Sequence, residues 1–231
     1  DNNNIADPDF PQLPTLAGPG QPALHSLYFA QFGDRGDLLF SQIILFSLDL
    51  EGEAKVTIIL RDDTGNPLQT DFNGEEVTGQ LQATIPAGGL RAFSTDGVGP
   101  VVVGSVTVNS DRPIAGVILF GGSVGLAGVG SSSELGLGFL APMESRLAEQ
   151  IQTGIAVMNL ESEQITLVLR LLDANGQELA SDQLILPAFG HQASFIDQLF
   201  GQLDLSDLAG VLRVETANRI TATVLQSRPG E

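Results

Sequence analysis

Apolar and polar residues alternate with a period of two in block after block of this chain. Ala54, Val56, Ile58 and Leu60 are interleaved with Lys55, Thr57 and Arg61. Further on, Ile165, Leu167, Leu169 and Leu171 are interleaved with Thr166 and Arg170, and Gly104, Val106 and Val108 with Ser105, Thr107 and Asn109. Successive side chains of a strand point to opposite faces, so this pattern, rich in β-branched residues, predicts strands with one buried face. Turn-forming clusters separate the blocks: DDTG, DANG, NSDRP and ETANR. The one helical signal is SFIDQLFG, Ser194 to Gly201, with Ser194 as the expected N-cap.

The blocks recur. VGSVTVNSDRPIAGVIL (Val103 to Leu119) has a counterpart in AGVLRVETANRITATVL (Ala209 to Leu225). SQIILFSLDLE stands opposite TGIAVMNLESE, VTIILRDDTGNPL opposite LVLRLLDANGQEL, and IPAGGLRAF opposite LPAFGHQAS. Blocks matched in one order predict an internal duplication. Each copy offers roughly six or seven short strands, the count of a β-sandwich. The expected fold is all-β: an extended arm over 1–26, then two tandem antiparallel Ig-like sandwich modules over 27–133 and 134–231.

The arm reads differently. Prolines at 8, 11, 14, 19 and 22 forbid helix and central strand, leaving an extended polyproline-like path. Phe10, Leu13 and Leu16 recur at every third residue, which aligns them on one edge of a three-per-turn helix. At about 3.1 Å per residue the arm reaches about 80 Å, enough to lie on a neighbouring molecule. A second apolar feature lies in the last repeated strand of the first copy. Ile114, Gly116, Ile118 and Phe120 face one way, while Ala115, Val117 and Leu119 face the other, so both faces are apolar. Such a face needs a cover, and the sister module is the first expectation. Ile5, Phe10, Leu13, Leu16, Val117 and Leu119 are the expected subunit-interface residues.

Composition narrows the function. Acidic residues outnumber basic ones 28 to 10, a net charge of -18 that repels phosphate backbones and argues against nucleic-acid binding. Cysteine is absent, which removes thiol chemistry, disulfides and cysteine-based metal sites. The run from Pro113 to Ser133 is uncharged and long enough to span a bilayer. Its repeated glycines and its place in the repeat instead predict a buried strand followed by a glycine-rich connection. A chain beginning at Asp1 rather than Met fits removal of an export signal or trimming.

No catalytic motif stands out. Asp63-Thr64-Gly65 spells the aspartic-protease triplet, but its counterpart reads DANG, and a hairpin turn with glycine at the positive-φ position accounts for both. His25 and His191 share no motif and are expected at the surface or in turns. Asp49, Glu51 and Glu53 match Glu161 and Glu163 in the two repeats; Ca²⁺ is conceivable there, solvated acidic turns the plainer expectation, and no other cofactor is expected. Arg35-Gly36-Asp37 reads as an inter-strand loop. With no Trp and only Tyr28, the chain lacks the aromatic platforms of carbohydrate-binding sandwiches.

The segments TGIAVMN, DANGQEL, GHQASFIDQLF and LAGVLRVET, with YFAQFGDRG and DDTGNPL before them and AGVG and FLAP between, resemble paired β-sandwich modules of large secreted and surface proteins of environmental bacteria. The resemblance covers roughly residues 27 to 228, leaves out the arm, and implies an extracellular, non-catalytic part. The expected function is therefore a non-enzymatic subunit of a surface fibre or layer, self-associating through its arm into a homopolymer. The alternative is a monomeric spacer or adhesion module whose arm folds back on itself.

Overall fold

The computed structural model describes residues 24–34, 39–122, 125–132 and 136–227. The predicted arm, with Ile5, Phe10, Leu13 and Leu16, and the Arg35-Gly36-Asp37 triplet lie outside these residues. The fold is all-β, with several antiparallel sheets. No helix among the described residues is long and apolar enough to cross a membrane.

The first half comprises β1 (Ser26–Asp34), β2 (Phe40–Ser47), β3 (Ala54–Arg61), β4 (Gln69–Phe72), β5 (Glu75–Thr78), β6 (Gln80–Ile85), β7 (Leu90–Ser94), β8 (Val102–Ser110), β9 (Ile114–Gly122) and β10 (Gly125–Gly130). They form one sheet in the order β1-β8-β3-β6, a second in the order β10-β9-β2-β7, and the hairpin β4-β5. The period-two pattern sends Leu27, Phe29, Val56, Ile58, Leu60, Val106 and Val108 of the first sheet into the same core as Ile43, Leu45, Phe93, Ile114 and Ile118 of the second. Burying each such side chain stabilises the fold by roughly 1.5–3 kcal/mol. The β4-β5 hairpin closes one end, where Phe72 meets Phe32 and Phe93 edge-on at 6.1 Å each.

The second half comprises β11 (Gly136–Arg146), β12 (Ile151–Asn159), β13 (Ile165–Asp173), β14 (Glu178–Leu186), β15 (His191–Phe195), the single turn α1 (Ile196–Leu199) and β16 (Asp207–Ser227). Their order is β14-β13-β16-β11-β12-β15, with β16 also paired to β12. The 21-residue β16 pairs with β11 and β13 in its first part, and from Ile220 to Ser227 with β12. It occupies the place that β8 and β9 share in the first half. The difference is Pro113, which has no N–H to donate and bends the preceding residue away from a continuous ladder; ETANR has no proline.

Two sequence expectations need correction. The glycine-rich stretch Gly125–Gly130 is not a connection but the edge strand β10, since its backbone pairs with β9 residue by residue. The short helix is capped at Phe195, not Ser194: Ser194 is committed to the ladder opposite Ile155, and the Gln198 side chain accepts the Phe195 N–H at 2.9 Å.

The halves share backbone detail beyond their strand order. Ser41 Oγ donates to Gly33 O at 2.6 Å and accepts from Gly33 N at 3.2 Å; Thr153 Oγ1 does the same with Glu144 O and N, both at 3.0 Å. Ser47 N bonds Gly89 O, and Asn159 N bonds Gly190 O, each at 2.9 Å. Asp62 Oδ1 accepts the N–H groups of Thr64 and Asn66, and Asp173 Oδ1 those of Asn175 and Gln177. Gly65 and Gly176 take the left-handed position of these turns, with φ of 82° and 81°.

The halves touch along a narrow seam. Ala30 of β1 packs against Ala156 and Met158 of β12. Beside them the turn after β3 docks on the turn before β15. His191 N donates to Asp63 O at 3.2 Å, and a Cβ added to Gly65 would sit 2.0 Å from Ala188 O. The Arg61 guanidinium lies 4.5 Å from the centre of the Phe189 ring. Phe189 has φ of 54°, a left-handed conformation costly for a bulky residue and taken at the matching turn by Gly88.

Candidate functional site

One sheet edge of the first half ends in a strand without charges of its own, with Arg91 Nη1 donating to its Thr84 carbonyl at 3.4 Å. β6 pairs with β3 on one side only. Its residues, Gln80-Leu81-Gln82-Ala83-Thr84-Ile85, include no charge and no proline, the devices that ordinarily keep an edge from pairing with another chain. The edge strand of the second half, β14, carries Glu178 and Asp182. Alongside β6 a groove runs toward β7, where Asn73, Glu75, Gln82 and Arg91 line it together with Leu81 and Ala83 over the buried rings of Phe72 and Phe93.

Val117 and Leu119 lie in β9 on the face away from the core, as the alternation requires. Val117 is buried and stands directly opposite Ile44 of β2, and the neighbouring Ala115 is opposite Phe46. Leu119 is half-buried. The sister half packs Ala156 and Met158 of β12 against Ala30, on β1 of the other sheet.

The acidic turns carry ion pairs. Arg112 bonds Asp49, whose carboxyl is held below its ordinary value first by the Glu51 N–H and then by the guanidinium. In the second half, Arg219 grips Glu161 with two side-chain bonds, Nε to Oε1 at 2.9 Å and Nη2 to Oε2 at 3.0 Å. Those bonds, joined by the Arg219 backbone N–H, bring Glu161 down to about 2. Asp49 and Glu161 thus each hold an arginine at matching places in the two halves.

The Asp63-Thr64-Gly65 triplet is a turn at the seam. His25 is exposed, as expected. His191 is not: its side chain is fully buried, with Nδ1 2.8 Å from Asp63 Oδ1. Nε2 of His191 and Oγ of Ser105 on β8 are both buried without a partner. Nothing in the spacing of Asp63 and His191 announced this pairing; docking of two turns from different halves creates it.

Carboxylates also converge where sequence reading did not look. Asp34 at the end of β1, Asp71 in β4 and Asp96 after β7 bring one oxygen each within 4.8 Å of one another. Asp34 is fully buried. Thr70 Oγ1 donates to Asp34 Oδ2 at 2.6 Å, and Gly97 N to Asp34 Oδ1 at 3.2 Å. Asp96 N donates to Asp71 Oδ1 at 3.3 Å, and Val98 N to Asp96 Oδ1 at 2.8 Å. Burial raises the Asp71 carboxyl above its ordinary value, and the charges of Asp96 and Asp34 push the same way against the Asp96 N–H. These residues are far apart in sequence and share no motif.

No protein-family model, no curated protein and no solved structure matches the chain.

Proposed function

We propose that this chain is a non-catalytic structural protein of the cell exterior. Two Ig-like sandwich modules descended from one duplication form its body, and copies join when the N-terminal arm of one lies along β6 of the next. The observation that carries the assembly is the β6 edge, whose own residues include no charge and no proline. Main-chain bonds at such an edge supply affinity, and pockets for alternate side chains supply register. Phe10, Leu13 and Leu16 are the apolar groups the arm brings to it. The duplication draws support from the paired Ser41 and Thr153 bridges and the paired Gly65 and Gly176 turns.

The seam favours a second reading, a monomeric spacer of fixed length. Strain at Phe189 is held by Arg61 across the halves, which is a means of stiffening a tandem pair. Light scattering over a range of concentrations separates the two. The polymer reading expects the full chain to grow with concentration, and deletion of residues 1–24, or Gln82→Lys with Thr84→Lys on the edge, to leave monomers. Unchanged assembly of the truncated chain rejects it, and a full chain that stays monomeric throughout favours the spacer.

A further inference from the structure

We infer that Asp34, Asp71 and Asp96 form a binding site for one hard divalent cation, Ca²⁺, independent of how copies of the chain assemble. Three stretches distant in sequence deliver these carboxylates to one point, with ligand oxygens no more than 4.8 Å apart. Oxygens about 2.4 Å from a Ca²⁺ can lie up to about 4.8 Å apart across it, so this spread admits the ion, and its variable coordination suits carboxylates delivered by three elements better than the near-ideal octahedron of Mg²⁺.

A second observation points to the missing charge. Asp71 Oδ2 is sealed from solvent and accepts no hydrogen bond. A buried carboxylate oxygen without a donor is expensive, and doubly so beside two further carboxylates. A cation removes both penalties at once. The bonds already present orient the group: Thr70 and Gly97 fix Asp34, the Asp96 N–H fixes Asp71, and the Val98 N–H fixes Asp96. The ion would fasten the β4-β5 hairpin, through Asp71, to the end of β1 and to the segment after β7. Among the described residues the second half has no such group: Ser145 of β11 lies opposite Leu208 of β16 where Asp34 of β1 lies opposite Val102 of β8.

The test uses the full chain, stripped with a chelator and titrated at constant ionic strength with CaCl₂ or MgCl₂, followed by calorimetry and thermal melting. One Ca²⁺ should bind per chain and raise the melting temperature, with a weaker response to Mg²⁺. Asp96→Asn, at an exposed position, should weaken Ca²⁺ binding by about tenfold or more, because affinity follows the number of charged ligands. Asp71→Asn should abolish the Ca²⁺-dependent shift yet melt higher than the unaltered chain in chelator, since it removes a buried repulsion. Glu51→Gln, at an exposed acidic turn, should leave binding intact. Absence of saturable Ca²⁺ binding, or binding undiminished in Asp96→Asn and Asp71→Asn, overturns the site and leaves a carboxylate group that manages its charge by protonation.

Discussion

His191 and Asp63 clamp the two halves at two points, through the imidazole Nδ1 to the Asp63 carboxylate at 2.8 Å and through the His191 N–H to the Asp63 carbonyl at 3.2 Å. The ring is fully buried and the carboxylate is 62% exposed, so the buried partner depends on the exposed one. Asp63→Ala strands Nδ1 and should cost about 1–3 kcal/mol, at the lower end because water can enter where the carboxylate stood. Asp63→Asn keeps an acceptor and should cost less. Chemical denaturation of both variants checks the order.

Gly65 and Gly176 test the seam against the turn. Both have a left-handed backbone, so alanine at either should cost about 1–2 kcal/mol for conformation alone. Gly176 has open space where a Cβ would go, whereas Gly65 faces Ala188 O at 2.0 Å. Gly65→Ala should therefore destabilise the chain clearly more than Gly176→Ala. Hydrogen exchange should place its extra loss in Pro187–His191, in the other half. Equal costs would remove the seam from the explanation.

The Ser41 and Thr153 hydroxyls each satisfy one amide and one carbonyl of the neighbouring strand, at Gly33 and at Glu144, in buried positions. Ser41→Ala removes the partner of a buried backbone donor and Thr153→Ala that of a part-buried one, so each should cost about 1–3 kcal/mol, Thr153→Ala toward the lower end. Thr153→Ser keeps the hydroxyl and should recover most of the loss. Denaturation midpoints of the three variants decide this; a silent Ser41→Ala would mean that the bridge adds nothing.

Glu161 sets a pH dependence. Its carboxyl is lowered from 4.5 to about 2 in the fold by the Arg219 side-chain bonds. The folded state thus binds the proton less tightly than the unfolded chain. The contribution is present above about pH 4.5 and lost as pH falls toward 2. Both groups are solvent-exposed, so the effect on stability is small. Arg219→Ala should flatten the stability profile across that window and leave neutral-pH stability little changed, as acid titration followed by circular dichroism would measure.

Strand positions were legible because alternation states which face is wet. Lys55, Thr57 and Arg61 could only face out if Val56, Ile58 and Leu60 faced in. The turns were legible because Gly65 and Gly176 are the residues best suited to the left-handed step. The unbroken course of β16 was less so, although the absence of a counterpart to Pro113 was its signal. The carboxylate group was not legible at all, for a physical reason: Asp34, Asp71 and Asp96 sit on three elements with no local pattern in common.

Local chemistry, then, was written in the chain itself: which segments extend, where they turn, and that the pattern occurs twice. Contact between distant segments was not. That His191 would be buried against Asp63, that Ala30 would meet the sister half, and that three aspartates would share one point all follow from how finished sheets stack. Alternation encodes a face and leaves open what that face meets. The partner is chosen by packing many side chains at once, a property of the assembled fold and not of any short stretch.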